Sequence, residues 1–190
     1  MPLVIKDKNR FWVAVSQEEL GIRLSDSMDT NSLPSNNIVR KIDGTNVMIC
    51  GQLSLELDIL ERVLKCKDLK RLNYDMLDKE VYKEVLNYTN RFRRNKDGNR
   101  LCFPNLIIAN NNIYRMENYG YIFKPKGSCF EGPYNRIQVA ESSLEIHKFK
   151  NPLEQIKSVY KDIHQFSKTV CGNIYVYNTK TDEILIIEEE

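Results

Sequence analysis

The stretch that says most about the fold is NVMICGQLSLELDILERVLKC, residues 46–66. Its first half predicts a buried strand, because an apolar run ends at Cys50 and is followed at once by Gly51. A glycine at such a junction permits a tight turn, or a close backbone approach, that a side chain would block. Apolar residues then recur at helical spacing, and Ser54 can cap the first turn. The stretch therefore predicts a strand, a turn and an amphipathic helix in direct succession.

Strand pairs and helix pairs alternate along the rest of the chain. The second helix is predicted to begin near Asp78, and the last to be capped by Asn151 and to end at Gly172. The order of elements predicts an α+β fold with residues 1–190 in a single domain. Two antiparallel sheets would stack with a helix pair on each outer face, which gives a four-layer αββα sandwich. The candidate strands fall in 3–15, 38–50, 106–123 and 173–189, and the candidate helices in 53–92 and 134–171.

Composition and charge narrow the classes of partner. The 190 residues are 42% hydrophobic and 28% charged, with a net charge of +2, so nothing favours a nucleic-acid partner. No apolar run is long enough to span a bilayer, which argues against a membrane partner. The cysteines are widely spaced and the histidines few, so we expect no metal and no cofactor. With no secretory signal, reduced thiols in the cytoplasm are the expectation. The cysteines are Cys50, Cys66, Cys102, Cys129 and Cys171.

Four local stretches, taken in order, resemble the proteasome superfamily, and within it the HslV-type peptidase subunit. The resemblance implies an N-terminal-nucleophile hydrolase fold with αββα layers. It also implies assembly of several copies into a ring or dimer, and leaves room for a protein or peptide partner. The stretches are FWVAVS (11–16), IVRKIDGTNVMICGQLSLELDILERVL (38–64), KGSCFEGPYNRIQVAESSLE (126–145) and GNIYVYNTKTDEILIIEE (172–189).

The resemblance also implies a set of site residues. In that family the hydroxyl of a leading threonine attacks the peptide carbonyl, and its own α-amino group accepts the proton. Lys41 corresponds to the lysine that keeps the site positive, and Gly51 to the glycine whose N–H stabilises the oxyanion. Ser128 corresponds to the serine near the nucleophile. Asp26 resembles the family's early aspartate. The register of the second strand, FWVAVS, would instead place Ser16 at that position.

The leading residues depart from the family. The register of the second strand places the nucleophile at Met1 or Pro2, and neither has the hydroxyl or thiol that an acyl ester requires. The Gly-Thr junction at residues 44–45 is interpreted as a hairpin turn and not as a processing site. A non-catalytic structural or interaction protein is therefore the leading hypothesis. An active peptidase or amidohydrolase stays open, through unrecognised processing or through Ser128 or Cys129. A third hypothesis is a module that binds a peptide or small ligand.

Overall fold

A computed structural model describes residues 2–8, 10–17, 39–51, 54–92, 105–116, 122–125, 127–130, 134–167 and 172–188. The chain forms two compact units, each with its own antiparallel sheet and helices. Unit 1 comprises Met1–Asn36 and Lys126–Glu190, and unit 2 comprises Asn37–Pro125. The α+β class predicted from the sequence is confirmed.

The described strands and helices follow the predicted alternation. In chain order the strands are β1 (Leu3–Asp7), β2 (Arg10–Ser16), β3 (Val39–Lys41), β4 (Met48–Cys50), β5 (Asn105–Ala109), β6 (Asn112–Met116), β7 (Ile122–Phe123), β8 (Cys129–Phe130), β9 (Ile174–Asn178) and β10 (Ile184–Ile187). The helices are α1 (Ser54–Lys65), α2 (Tyr74–Met76), α3 (Tyr82–Phe92), α4 (Tyr134–Ile146) and α5 (Pro152–Phe166).

Unit 1 is built from both parts of the chain. Its sheet has the strand order β10-β9-β2-β1-β8, with every neighbouring pair antiparallel. One face of the sheet packs against α4 and α5. Because successive side chains of a strand point to opposite faces, every second residue of these strands faces the helices. The hydroxyl of Tyr160 on α5 donates to the buried carbonyl oxygen of Ala14 at 2.8 Å. The core on this face consists of Leu3, Ile5, Trp12, Ala14, Phe130, Ile137, Ala140, Leu144, Ile156, Val159, Tyr160, Ile163, Ile174 and Val176.

The last helix begins as predicted but ends earlier. The side chain of Asn151 accepts a hydrogen bond from the backbone N–H of Glu154 at 3.0 Å, which confirms the cap. The helix ends at Phe166, so the prediction that Gly172 ends it is wrong. Gly172 instead has φ +79° and lies against Gln17, where an added Cβ would come within 3.0 Å of that side chain. The glycine therefore serves close packing at the entry to β9.

Unit 2 is contiguous in sequence and has the strand order β3-β4-β5-β6-β7. The turn before β4 has Gly44 at φ +71°, as the Asp-Gly pair predicts. The turn from β5 to β6 has Asn110 and Asn111 in the left-handed region, which confirms the hairpin predicted there. Asparagine tolerates that conformation better than most residues.

The second helical segment of unit 2 begins at Tyr74, so its predicted start near Asp78 is wrong. Asn73 is the cap, and its side chain accepts from the N–H of Met76 at 3.0 Å. A π-helical turn, Leu77–Val81, joins α2 to α3. Leu77 and Val81 keep helical spacing and are buried, so the predicted start was too late because Asn73 was not recognised as the cap. The core of unit 2 consists of Ile42, Val47, Ile49, Leu57, Leu60, Val63, Leu64, Leu72, Leu77, Val81, Tyr82, Ile107, Ala109, Tyr114, Met116 and Ile122.

Each sheet also buries the side chains on the face directed away from its own helices. The predicted burial of Cys50 is confirmed, and it belongs to this second face of unit 2. Strands that are apolar on both faces are typical of interior sheets. Within the described residues, no helix is both long and apolar enough to cross a membrane. The second-face residues are Val4, Val13, Val15, Tyr175 and Tyr177 in unit 1, and Met48, Cys50, Leu106, Ile108 and Ile113 in unit 2.

Candidate functional site

Lys41 lies on β3, and its orientation follows from its neighbour. Arg40 contacts α1, with its Nη1 atom 2.5 Å from Asp58 Oδ1 and 3.1 Å from Glu61 Oε2. Adjacent side chains of a strand point to opposite faces, so Lys41 is directed to the face away from α1. It is half-buried and lies opposite Met48 in the hairpin. The strand thus separates a helix-bound arginine from a lysine on the second face of the sheet.

The arginine is part of a small ion-pair cluster on α1. Lys65 Nζ lies 2.6 Å from Glu61 Oε1, and Arg40 contacts the other oxygen of the same carboxylate. Burial raises the pKa of Glu61, but the hydrogen bonds from Lys65 and Arg40 outweigh burial and hold that pKa below its usual value. The positive charge of Arg40 is therefore balanced locally by Glu61 and Asp58.

Gly51 follows β4 directly and is buried. β4 ends at Cys50 and α1 begins at Ser54, so the predicted junction between strand and helix is confirmed. Lys41 and Gly51 belong to the same hairpin-to-helix unit. Lys41 lies opposite Met48, and Gly51 comes three residues after Met48. Three residues correspond to about 10 Å along an extended strand. The structure thus brings these two residues into one region of unit 2 without direct pairing.

Ser128 lies one residue before β8 and is half-buried. β8 is antiparallel to β1, with Cys129 opposite Val4 and Phe130 opposite Leu3. The chain therefore approaches the amino-terminal end of β1 as it proceeds from Ser128 to Phe130. Ser128 is farther from that end than Phe130 is. Asp26 lies outside the described residues.

Polar side chains are buried at the carboxyl end of β2, beside the start of β1. Leu3 lies opposite Ala14, so continuing the register by one position places Pro2 opposite Val15. Ser16 and Gln17 are both buried, and so is Pro2. The sequence offered Ser16 only as an alternative to Asp26 and gave no role to Gln17. The sequence gave one signal for this cluster, namely that two polar residues directly follow an unbroken apolar strand.

Gln17 ties this end of β2 to β9. Its backbone N–H donates to the carbonyl oxygen of Asn173 at 2.7 Å, and the N–H of Asn173 donates to Gln17 Oε1 at 3.1 Å. These groups form hydrogen bonds, but serine hydroxyls and amides are poor general bases. Pro2, Ser16, Gln17, Phe130 and Asn173 carry no carboxylate, imidazole, thiol or amine on their side chains. Those five side chains therefore provide hydrogen-bonding groups but no general base.

A second cluster of polar side chains joins α4 to the following helix. The hydroxyl of Ser143 donates to Asp162 Oδ2 at 2.6 Å, and His147 Nε2 lies 3.3 Å from the same oxygen. In a nucleophilic triad the hydroxyl donates to the imidazole. Here the carboxylate lies between the two, so the cluster links two helices and does not activate Ser143. His147 was predicted to lie on a helix; it follows the last residue of α4. No group of three potential metal ligands occurs among the described residues.

The structure has the fold of proteasome-like and HslV-like subunits. Anbu, an ancestral beta-subunit from Yersinia bercovieri, matches with a TM-score of 0.65 at 9% identity, over 100% of this chain and 87% of that chain. BPH from Thiobacillus denitrificans, solved in complex with Epoxomicin, matches at 0.56 and 8%, over 100% and 98%. Eukaryotic HslV from Trypanosoma brucei matches at 0.55 and 11%, over 99% of both chains. No protein-family model and no curated protein matches the sequence. Identities this low establish similarity of fold alone.

Proposed function

We propose that this chain is a non-catalytic subunit of proteasome-like fold, which acts as a structural or interaction protein in an assembly of its own copies. The likeness to Anbu, BPH and HslV supports the fold. We further propose that residues 1–190 form one domain with the four-layer αββα arrangement. Support comes from the two sheets, each of which buries an apolar face beyond the one that its own helices cover.

One observation carries the proposal of inactivity. The residue directly before β1 is Pro2, and the positions at which the fold would hold its nucleophile are Met1 and Pro2. Neither side chain can form an acyl ester. In the family the base is the α-amino group of the leading residue itself, so the proposal of inactivity depends on the missing hydroxyl or thiol and not on a missing base. The buried side chains at the adjacent end of β2, Ser16 and Gln17, offer a hydroxyl and an amide.

Within this proposal, Lys41 and Gly51 keep the positions of the family's lysine and oxyanion glycine. Both lie on the hairpin that leads into α1, where the sequence resemblance put them. Ser128 and Asp26 remain proposals by position. The register of β8, which directs Phe130 rather than Ser128 toward the start of β1, supports Ser128 less well.

The test measures covalent reactivity. The protein from its native host should have an intact mass that corresponds to no processing beyond removal of Met1, and it should gain no mass when incubated with epoxomicin. It should also fail to turn over short fluorogenic peptides. A mature chain that begins with Thr, Ser or Cys, or a stoichiometric epoxomicin adduct, would contradict the proposal.

A restored nucleophile tests the roles of Lys41 and Gly51 independently of the inactivity of the natural chain. The variant Pro2→Thr, prepared with residue 2 first in the chain, places a hydroxyl and an α-amino group of pKa about 8 on one residue. We expect epoxomicin to label this variant, and to label neither Pro2→Ala nor the double variant Pro2→Thr/Lys41→Ala. Absence of label on Pro2→Thr would remove the roles proposed for Lys41 and Gly51, while the inactivity of the natural chain would stand.

The competing function is amide hydrolysis through Ser128 or Cys129. Cys129 is buried in β8, and Ser128 is half-buried. Any peptide turnover by the natural chain should therefore be compared with that of Ser128→Ala and Cys129→Ala. Turnover that one of these variants abolishes, with an unchanged thermal melt, would establish the competing function.

A further inference from the structure

The last strand of unit 1 is a sheet edge whose outward backbone groups can be identified. Among the described strands, β10 pairs with β9 alone. The N–H of Asn178 donates to the carbonyl oxygen of Glu183 at 2.9 Å, so these two residues form a hydrogen-bonded pair. Such pairs alternate along an antiparallel ladder, so Leu185 also directs its backbone groups to β9. Ile184 and Ile186 therefore direct their N–H and C=O groups away from β9, toward the edge.

The side chains along this edge are apolar and accessible to solvent. Leu185 and Ile186 are 38% and 40% exposed, and Ile184 and Ile187 are half-buried. They alternate between the two faces of the sheet, so each face ends in apolar side chains. Natural edge strands are commonly protected by a charged residue or a proline within the strand, and β10 has neither. An added strand would therefore extend both apolar faces.

Carboxylates lie at both ends of the edge. Asp182 and Glu183 precede β10, Glu188 follows it, and all three are exposed. Lys180 is the one basic residue in positions 180–188. Within the described part of the chain, neither glutamate is in an ion pair, and Glu183 accepts a hydrogen bond from the neutral hydroxyl of Thr181 at 2.9 Å. The charges of both glutamates are therefore available to a partner.

We propose that β10 receives an extended basic segment of another protein as an additional strand. The pairing would be antiparallel, as it is between all neighbouring strands of this sheet. Basic residues five positions apart in the partner would face Glu183 and Glu188, with apolar or β-branched residues between them. This inference rests on the interaction role that is part of the proposed function, and it names the class of partner.

Charge disfavours a second copy of this chain as the occupant. Two copies of β10 can pair only where their outward residues match, as in a register that puts Ile184 opposite Ile186. In that register Asp182 of one copy faces Glu188 of the other. Like charges directly opposite each other on paired strands are destabilising. A basic partner avoids this repulsion and adds an ion pair at each end.

A labelled peptide, Lys-Val-Thr-Val-Thr-Lys, tests the proposal by fluorescence anisotropy. We expect it to bind about fivefold more tightly at low salt than Glu-Val-Thr-Val-Thr-Glu, since two exposed ion pairs contribute modestly. Its threonines would pair with Ile184 and Ile186. N-methylation of both threonines should therefore abolish binding, and N-methylation of both valines should preserve it.

Hydrogen exchange measured by NMR locates the peptide on the edge. At a peptide concentration ten times its Kd, exchange at the amides of Ile184 and Ile186 should slow about tenfold. The amides of Leu185 and Ile187 already pair with β9 and should change little. Slowing at all four amides alike, or at none, would overturn the proposed pairing.

Two double variants test the role of the carboxylates. Glu183→Gln/Glu188→Gln should weaken binding of the lysine peptide about fivefold at low salt. The matched control, Glu141→Gln/Glu154→Gln, makes the same change of net charge at exposed positions on α4 and α5 and should bind as the natural chain does. Equal weakening by both double variants, or equal binding of the lysine and glutamate peptides, would overturn the basic partner.

The remaining outcomes separate this inference from the proposed function. Protection of the Ile184 and Ile186 amides that rises with protein concentration, without peptide, would show that a second copy occupies the edge and would overturn the basic partner. Failure of the peptide to bind would overturn the edge site and leave the missing nucleophile untouched. An epoxomicin adduct would contradict the proposed function, whereas binding of the peptide to β10 would still be measured separately.

Discussion

Unit 1 and unit 2 share a plan, a five-stranded antiparallel sheet with helices on one face, but they hold the helices differently. In unit 2, α1 is tied to β3 by ion pairs from Arg40 to Asp58 and Glu61. In unit 1, α5 is tied to β2 by one buried hydrogen bond from Tyr160 to Ala14. Buried hydrogen bonds are costly to leave unmade, whereas ion pairs at a surface contribute little. The polar contacts between helix and sheet therefore differ between the two units, whereas each unit has an apolar core of the same kind.

The same comparison locates the departure from the family that the fold resembles. Unit 2 carries Lys41 and Gly51 on a hairpin that leads into a helix, as the resemblance requires. Unit 1 carries Pro2, Ser16 and Gln17 at the place where a reactive residue would belong. The proposed loss of activity thus concerns residues of unit 1, whereas the roles proposed for Lys41 and Gly51 concern unit 2.

Cavities in the two cores should have the largest effect on stability. Leu60→Ala in unit 2 and Ile163→Ala in unit 1 each remove a fully buried side chain, at a cost of about 3 kcal/mol in free energy of unfolding. Urea denaturation followed by circular dichroism measures both. If residues 1–190 form one domain, each variant shifts a single transition. A transition in two steps, of which each variant moves only one, would contradict the single-domain proposal.

Removal of the buried hydroxyl in unit 1 should have an intermediate effect. Tyr160→Phe deletes the hydrogen bond to the Ala14 carbonyl and keeps the ring, so we expect a loss of about 1–2 kcal/mol. Chemical denaturation gives the value, with Tyr74→Phe on an exposed tyrosine as the control. Equal stability of the two variants would show that the hydrogen bond does not secure α5.

The ion pairs of unit 2 should contribute less. Arg40→Met keeps the aliphatic stem but leaves Asp58 and Glu61 without this partner, and we expect a loss of about 1 kcal/mol. The loss should shrink in 1 M salt, where charges are screened over about 3 Å. Lys83→Met, at an exposed position on α3, is the matched control. A salt-independent loss would point to packing of the arginine stem instead.

The smallest effect should depend on pH. The pKa of Glu61 is lowered in the folded chain, so its contribution is present above its unfolded pKa of about 4.3 and is lost as the pH falls through the folded pKa. Glu61→Gln should therefore cost about 0.5 kcal/mol at pH 7 and almost nothing near pH 3. Urea midpoints of both chains at the two pH values provide the measurement. A stability difference between the two chains that grows in acid would show that the assigned direction of the Glu61 pKa shift is wrong.

Local patterns predicted much of the fold. The turn at Gly44, the cap at Asn151 and the strand-to-helix junction at Gly51 each depend on residues adjacent in sequence, and all three occur as predicted. The start of the second helical segment was misjudged because its cap, Asn73, was not recognised. The end of α5 was misjudged because Gly172 packs on Gln17, a residue far away in sequence.

The candidate site also divides into residues that local sequence could place and residues that depend on distant contacts. Lys41 and Gly51 could be placed from the sequence because they lie on one short hairpin. The surroundings of Pro2 could not, because they depend on the register of β1 with β8 and on the contact of Gln17 with Asn173. Strand register between distant segments is fixed by side-chain packing over a whole face, which no local pattern encodes.

The sequence by itself determined the alternation of strands and helices, the caps and turns, and the absence of a hydroxyl or thiol at positions 1 and 2. Each of these follows from residue type or from spacing within a few positions. Only the tertiary structure decided which polar groups lie beside Pro2, which face of the sheet carries Lys41, and which apolar side chains stay exposed on β10 and after α4. Those features depend on contacts between segments far apart in the chain, and such contacts form only when burial of the apolar faces brings the segments together.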